Sequence, residues 1–202
     1  AYHDPQAPDT FTWPWDASGQ YTARSVYRAL HLGLATSPTY ECIWRSGAIL
    51  KCKIFAWLAV QYRLWTSDRR ARHGLQDSTA ACYTCLQEED TVDHILLHCP
   101  YAREVWHLCF TQISVTVRQP QPGDSLEAWW LQVRSAIVTR DRRGFDTIVI
   151  FVAWSLWKQR NARVFGRLEQ QRRPTQLVRQ IFDELREWDD AGVGRIHRFV
   201  RS

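Results

Sequence analysis

The chain has 202 residues, 45% of them apolar, with eleven Trp, no Met and a formal net charge of +5. That is enough for one sizeable domain, or for two small ones that share a core. It excludes a bilayer-spanning helix, because the longest apolar run, Ile148 to Trp157, is too short to cross one. No signal peptide opens the sequence, and a chain that starts at Ala1 reads as a piece cut from something longer.

In chain order, Phe11 to Trp15, the turn Asp16-Ala-Ser-Gly19 and Gln20 to Ala23 alternate apolar and polar residues. This pattern predicts a small β-hairpin whose first strand Pro14 confines to an edge. Helical patterning follows from about Arg24 to Leu32 and briefly at Tyr40–Trp44. It then runs from Ile49 to Trp65, apolar nearly all round and therefore central. Thr66-Ser-Asp starts a short helix that carries Arg69, Arg70, Arg72 and His73 and stops at Gly74.

The next stretch carries the chemistry. Cys82-x2-Cys85-x8-His94-x4-Cys99 puts four ligand-type side chains within eighteen positions. Two thiols three residues apart close a knuckle on one cation, and the returning His and Cys complete a tetrahedron suited to Zn²⁺. Two buried thiols with an incidental His is the bland alternative, and four ligands this close weigh against it. His98 is a substitute ligand, but His94 is the better one because Asp93 and the run after it read as a helix start. Four protein ligands leave no position for a reactive water, so one structural Zn²⁺ is expected. Six Cys without secretory features fit a reducing, intracellular compartment, nuclear or cytoplasmic. Cys42, Cys52 and Cys109 read as core thiols.

Pro100 opens a helix to Phe110, and Thr111–Gly123 is a linker whose first half alternates like a strand. Asp124-Ser-Leu-Glu127 has the form of a capping box for a helix to about Val138. A longer helix is expected over Phe145–Phe165 with Gly166 as its cap, and a last one from Pro174, closing at Gly192. The architecture expected is mainly α with a small N-terminal β-hairpin: a zinc-binding domain at 1–110 and a helical extension at 111–202 packed on it. Charge divides unequally between them. Residues 1–110 hold ten Lys/Arg against eleven Asp/Glu, and residues 111–202 hold sixteen against ten.

Trp15, Ser18-Gly-Gln-Tyr-Thr22, Ser25-Val-Tyr27 and Ile43-Trp44 form one set of matching residues. Lys53-Ile-Phe-Ala-Trp57, Thr66-Ser-Asp-Arg69 and the Cys82–Cys99 motif through Trp106 form another. Together they resemble the zinc-binding domain of plant non-LTR (LINE-type) retrotransposon reverse transcriptases. Ala153-Trp-Ser-Leu-Trp157-Lys-Gln-Arg-Asn161 through Val164-Phe165 resembles the tail that follows that domain. Ala48-Ile49 stands where the family has Pro, which touches a helix start and not the ligands. The resemblance implies an accessory module that holds template RNA or target DNA.

No Tyr-x-Asp-Asp pair and no ribonuclease H carboxylate set is present, so the chain reads as non-catalytic, with no small-molecule substrate. Candidate nucleic-acid contacts are Arg69, Arg70, Arg72, Lys158, Arg160 and Arg163; a solvated helix face is the competing reading for each, and Arg160 with Asn161 reads equally as a helix pin. The alternative function is a host-adopted protein-interaction module, as in plant defence or regulation, for which Trp129-Trp130 or Trp154/Trp157 are candidate anchors, although core packing is the favoured reading for most of these Trp.

Overall fold

A computed structural model describes residues 12–14, 16, 18–26, 37–75, 80–113, 115–192 and 196–200. The chain divides into two compact units, Ala1–Ser37 and Pro38–Ser202.

The described residues contain no β-strand, which corrects the expected N-terminal hairpin. What forms instead is a tight loop. The Asp16 carboxylate accepts from Ser18 N and Oγ, Gly19 takes φ 68°, and its carbonyl accepts the Trp13 N–H at 2.8 Å. Side-chain bonds within the turn outcompete ladder pairing, as short Asp and Ser side chains do. Residues 23–26 form a helical turn, with Ser25 N bonded to Thr22 Oγ1 at 3.1 Å. Phe11, Trp15 and Ala17 of the expected hairpin, and residues 27–32 of the expected helix, lie outside the described residues.

The second unit is helical. Its elements are α1 (Pro38–Arg45), α2 (Leu50–Val60), α3 (Ser67–Arg72), a π-helical turn (His94–His98), α4 (Pro100–Gln112), α5 (Leu126–Ser135), α6 (Arg142–Val164), α7 (Pro174–Asp190) and α8 (His197–Val200). Helix α6 is the axis: it packs against α1, α2, α5, α7, α8 and the π-helical turn, and residues 144–153 are all buried. A helix surrounded in this way needs apolar side chains on every side, which is why Ile148–Trp157 resembles a buried strand in composition. Trp106 tilts against Trp129 at 4.9 Å and stacks on Phe110 at 5.5 Å, and Phe110 stacks on Phe145 at 6.4 Å. This aromatic row fills the junction of α4, α5 and α6. No helix among the described residues is long and apolar enough to cross a membrane.

Several helix ends differ from the expectations in instructive ways. Helix α2 stops at Val60 rather than Trp65, because Tyr62 takes φ 54° and Arg63 N bonds back to Leu58 O. The cap of α5 is Ser125, whose Oγ accepts from Ala128 N at 3.1 Å. Asp124 instead pairs with Arg118, and Glu127 accepts from Thr39 of α1. The alternating run Val115–Val117 forms no strand. Pro174 opens α7, and Gly166 and Gly192 follow their helices with φ 62° and 72°. Helix α8 is an element that the periodicity did not predict; Ile196 and Phe199 are buried there.

Candidate metal centre

Cys82, Cys85, His94 and Cys99 converge so that one Sγ or ring nitrogen from each lies within 4.8 Å of all the others. Cys82 Sγ is 4.0 Å from Cys99 Sγ, and Cys85 Sγ is 3.3 Å from His94 Nε2. Zinc–sulfur bonds of about 2.3 Å in a tetrahedron place sulfurs about 3.8 Å apart, so the donor set fits Zn²⁺.

Local backbone chemistry builds this geometry. After Cys85 the chain reverses at Leu86, a non-glycine residue at φ 59°, with Leu86 N bonded to Cys82 O at 2.8 Å. The returning segment is pinned by Cys82 N to Glu88 O at 2.7 Å and by an isolated antiparallel bridge between Ala81 and Glu89. His94 and Cys99 are five residues apart, and the π-helical turn makes them hydrogen-bond partners, Cys99 N to His94 O at 2.7 Å. Such single turns put two side chains at a spacing that an α-helix does not bring together. Cys99 then caps α4 with Pro100 at its first position, where the helix N-terminus favours a thiolate.

The ligands interact electrostatically even before a cation is considered. A hydrogen bond from the Cys99 thiol, aided by His94 and the Thr84 N–H, pulls Cys82 down to about 3, while Cys99 is pushed up by the same partner. Burial would lower His94, but the Cys82 and Cys85 sulfurs outweigh it and raise it to about 9. A bound cation replaces these shared protons. With three thiolates and a neutral imidazole, the zinc complex carries a net charge of about −1.

The acidic run between the ligands, which the spacing alone leaves as a mere excursion, holds the site in place. Glu88 Oε2 lies 3.0 Å from His94 Nδ1, so Nδ1–H donates to the carboxylate and Nε2 faces the metal. Asp93 accepts from Tyr62 OH at 2.8 Å and from Leu126 N at 2.9 Å, tying the π-helical turn to the ends of α2 and α5. Asp90 is fully buried; it accepts from Ser67 N and Oγ of α3 and from the Arg160 guanidinium of α6. That guanidinium also lies 5.2 Å from the Tyr83 ring, inside the knuckle, and 5.1 Å from the Trp157 ring.

His98 is not among the four ligands, and its buried Nε2 has no hydrogen-bond partner among the described residues. All four ligands and their supporting carboxylates fall inside residues 21–106, which match the family described as zinc-binding in reverse transcriptase. Over that segment the chain resembles a reverse-transcriptase zinc-binding domain. Its cluster is built to hold one zinc ion, with all four positions filled by protein. The chain is also 26% identical over 172 residues to an Arabidopsis thaliana protein named as a ribonuclease H protein, an alignment that covers 79% of this chain. The chain spans about a quarter of that relative's length. No solved structure matches.

Around the zinc-binding domain, the six candidate cations part company. Arg160 is only 4% exposed and neutralised by Asp90, which corrects its reading as a phosphate contact. Arg72 pairs with Asp68 at 2.6 Å, and Lys158 approaches Glu184 at 3.8 Å. Arg69 donates to the Tyr62 carbonyl and lies 5.2 Å from the Trp65 ring, without a carboxylate. Arg163 donates to the carbonyls of Gln159 and Arg172 and lies over Tyr101 at 5.0 Å. Arg70 is half-buried beside the knuckle. Trp129 and Trp130 are buried in the core, with their indole N–H groups on Arg118 O and Asp146, so they are not interface anchors. Cys42, Cys52 and Cys109 are buried thiols, and burial raises all three, Cys42 and Cys52 to about 11.

Proposed function

We propose that the chain is a non-catalytic, zinc-stabilised module of retroelement origin that holds nucleic acid, template RNA or target DNA, for a polymerase elsewhere in its polypeptide. The observation that carries the reading is a set of cations that no described carboxylate neutralises. Among the described residues Arg69, Arg163, Arg167 and Arg172 meet backbone carbonyls, the Gln159 amide oxygen or aromatic rings and no carboxylate, whereas Arg72, Lys158 and Arg160 face carboxylates. Guanidinium groups that are uncompensated and laid on rings suit phosphates and bases alike. A zinc site with four protein ligands has no position at which to activate water, which supports the non-catalytic role. The setting is intracellular, nuclear or cytoplasmic.

Fluorescence anisotropy with labelled RNA and DNA across a salt series tests this. Binding should weaken as salt rises, and Ala at Arg69, Arg163 or Arg167 should each reduce the slope by about 0.7 on single strands. Six-residue substitution is unnecessary, since Arg160→Ala reports on folding instead. Absence of binding at low salt overturns the reading.

A second reading has its own observation. Leu50 and Ile54, one turn apart on α2, are 64% and 42% exposed. This apolar face suits a protein partner, whose binding would be insensitive to salt and lost in Leu50→Asp.

A further inference from the structure

Beside the zinc knuckle is a cleft of about 310 Å³, set between the Trp65–Arg70 segment and the C-terminal end of α6. Its walls are mostly rings: Trp65, Tyr83, Trp157 and Phe165, joined by Asn161 and the Arg70 guanidinium. Among the described residues, no carboxylate lines it. Trp65 is 51% and Phe165 65% exposed, which is unusual for side chains of that size in a chain that buries Trp106, Trp129 and Trp130.

The polar chemistry of the cleft is one-sided. Arg160 Nη1 donates to Asn161 Oδ1 at 3.2 Å, and because a guanidinium has only donors, the amide orientation is fixed and its NH₂ group is left over. Among the described residues, neither that NH₂ nor the indole N–H of Trp65 or Trp157 has a hydrogen-bond partner. The walls are also stiff. Tyr83 and Trp157 both lie on the Arg160 guanidinium, which Asp90 holds in place, while Trp65 is backed by Arg69 and by His73 at 5.4 Å. Arg167 covers Phe165 at 5.4 Å.

A complementary ligand is therefore flat and rich in acceptors. Its planar part stacks on the rings, and its acceptors meet the free N–H groups. We propose that this cleft receives an unpaired nucleobase of a single-stranded nucleic acid, stacked on its rings, with Asn161 donating to the base edge. The proposal rests on the nucleic-acid reading above and adds strandedness and place to it. A duplex keeps its base faces stacked, and a cleft at the lower end of small-ligand volumes does not admit a base pair. Preformed walls mean that little ordering opposes entry.

The test uses the zinc-loaded chain and a labelled single-stranded RNA of about twelve nucleotides, with its duplex as control. Wild type should prefer the single strand, and Trp65→Ala should weaken that binding about tenfold, the loss expected for one stacked base. Asn161→Ala should weaken it less and should alter the ranking of homopolymers. Neither variant should lose zinc or melt earlier by more than a small margin, since Trp65 is half exposed and Asn161 makes one hydrogen bond. If wild type binds RNA and both variants bind equally well, the cleft proposal is overturned while the nucleic-acid reading stands. Equal losses on single strand and duplex overturn it too. If wild type ignores RNA at low salt, or takes a glutamate-rich peptide through Trp65 instead, both readings fall.

Discussion

The zinc knuckle at residues 80–99 and helix α6 are held by opposite means. The knuckle's tip residues Leu86, Gln87, Glu88 and Glu89 are exposed, and beyond its ligands its apolar burial is confined to its far end, at Val92, Ile95, Leu96 and Leu97. Its shape depends on four donor atoms and on bonds to three carboxylates. Helix α6 has no ligand and almost no polar contact along 148–153, and its position is set by burial on every side. The contrast teaches that metal binding and apolar burial substitute for each other within one unit. Asp90 and Arg160 are where the two regimes meet. A buried pair of this kind contributes little beyond an apolar equivalent, yet loss of one partner strands a charge.

The largest expected effect comes from removing the metal. Chelation, or Cys99→Ser, should cost on the order of 10 kcal/mol in the site's own folding. Melting should then become broad and early, with α6 helicity outlasting the knuckle. Zinc analysis and circular dichroism check this; a Cys99→Ser chain with full zinc and an unchanged melt would break the comparison. Acid should mimic the variant, since protons return to the thiolates and to His94, whose metal-free value is about 9, and compete with the cation.

Next in size is Arg160→Ala, which leaves Asp90 buried without its cation and should cost about 3–5 kcal/mol. Denaturant titration measures it. Retained zinc with lowered stability would keep the two regimes distinct, whereas joint loss of zinc would merge them. Glu88→Gln should weaken zinc binding about 10- to 100-fold by removing the carboxylate that orients His94. A competition titration with a chromogenic chelator reads that out, and an unchanged affinity would make Glu88 a bystander. Ser125→Ala, away from both regions, should cost about 1 kcal/mol through loss of the α5 cap. The same change at Asp124 should leave α5 intact, because Asp124 is bonded to Arg118 instead. Thermal melts of the two variants side by side decide which residue is the cap.

Local chemistry was legible in the sequence. The ligand spacing, the Pro174 start and the Gly166 and Gly192 stops are each set within a few residues, so the pattern alone carries them. Long-range pairings left no such trace. Nothing near Asp90 announces that Arg160, seventy positions later, neutralises it, and so the sequence leaves Arg160 equally a phosphate contact and a helix pin. Glu88 is one of several acids in the excursion between the ligands, and spacing does not single it out, although a ligand His commonly engages a carboxylate through its second nitrogen. The hairpin was misjudged for a different reason: alternation signals a strand only if a partner strand exists, and Asp16 and Ser18 close a loop by themselves. Trp129-Trp130 are candidates for core and interface alike in the sequence, because adjacency says nothing about which neighbours cover a side chain; the structure puts both in the core.

The Asp90–Arg160 contact also determines where this polypeptide tolerates being divided. A fragment ending after α4 would keep every metal ligand, yet it would lack Arg160, and with it the counter-ion of Asp90 and the rear wall of Tyr83. A fragment beginning after α4 would carry the cation with nothing to oppose it. Exchange of halves between related polypeptides therefore succeeds only when the acid of one and the base of the other travel together, so the pair acts as a compatibility mark for recombination.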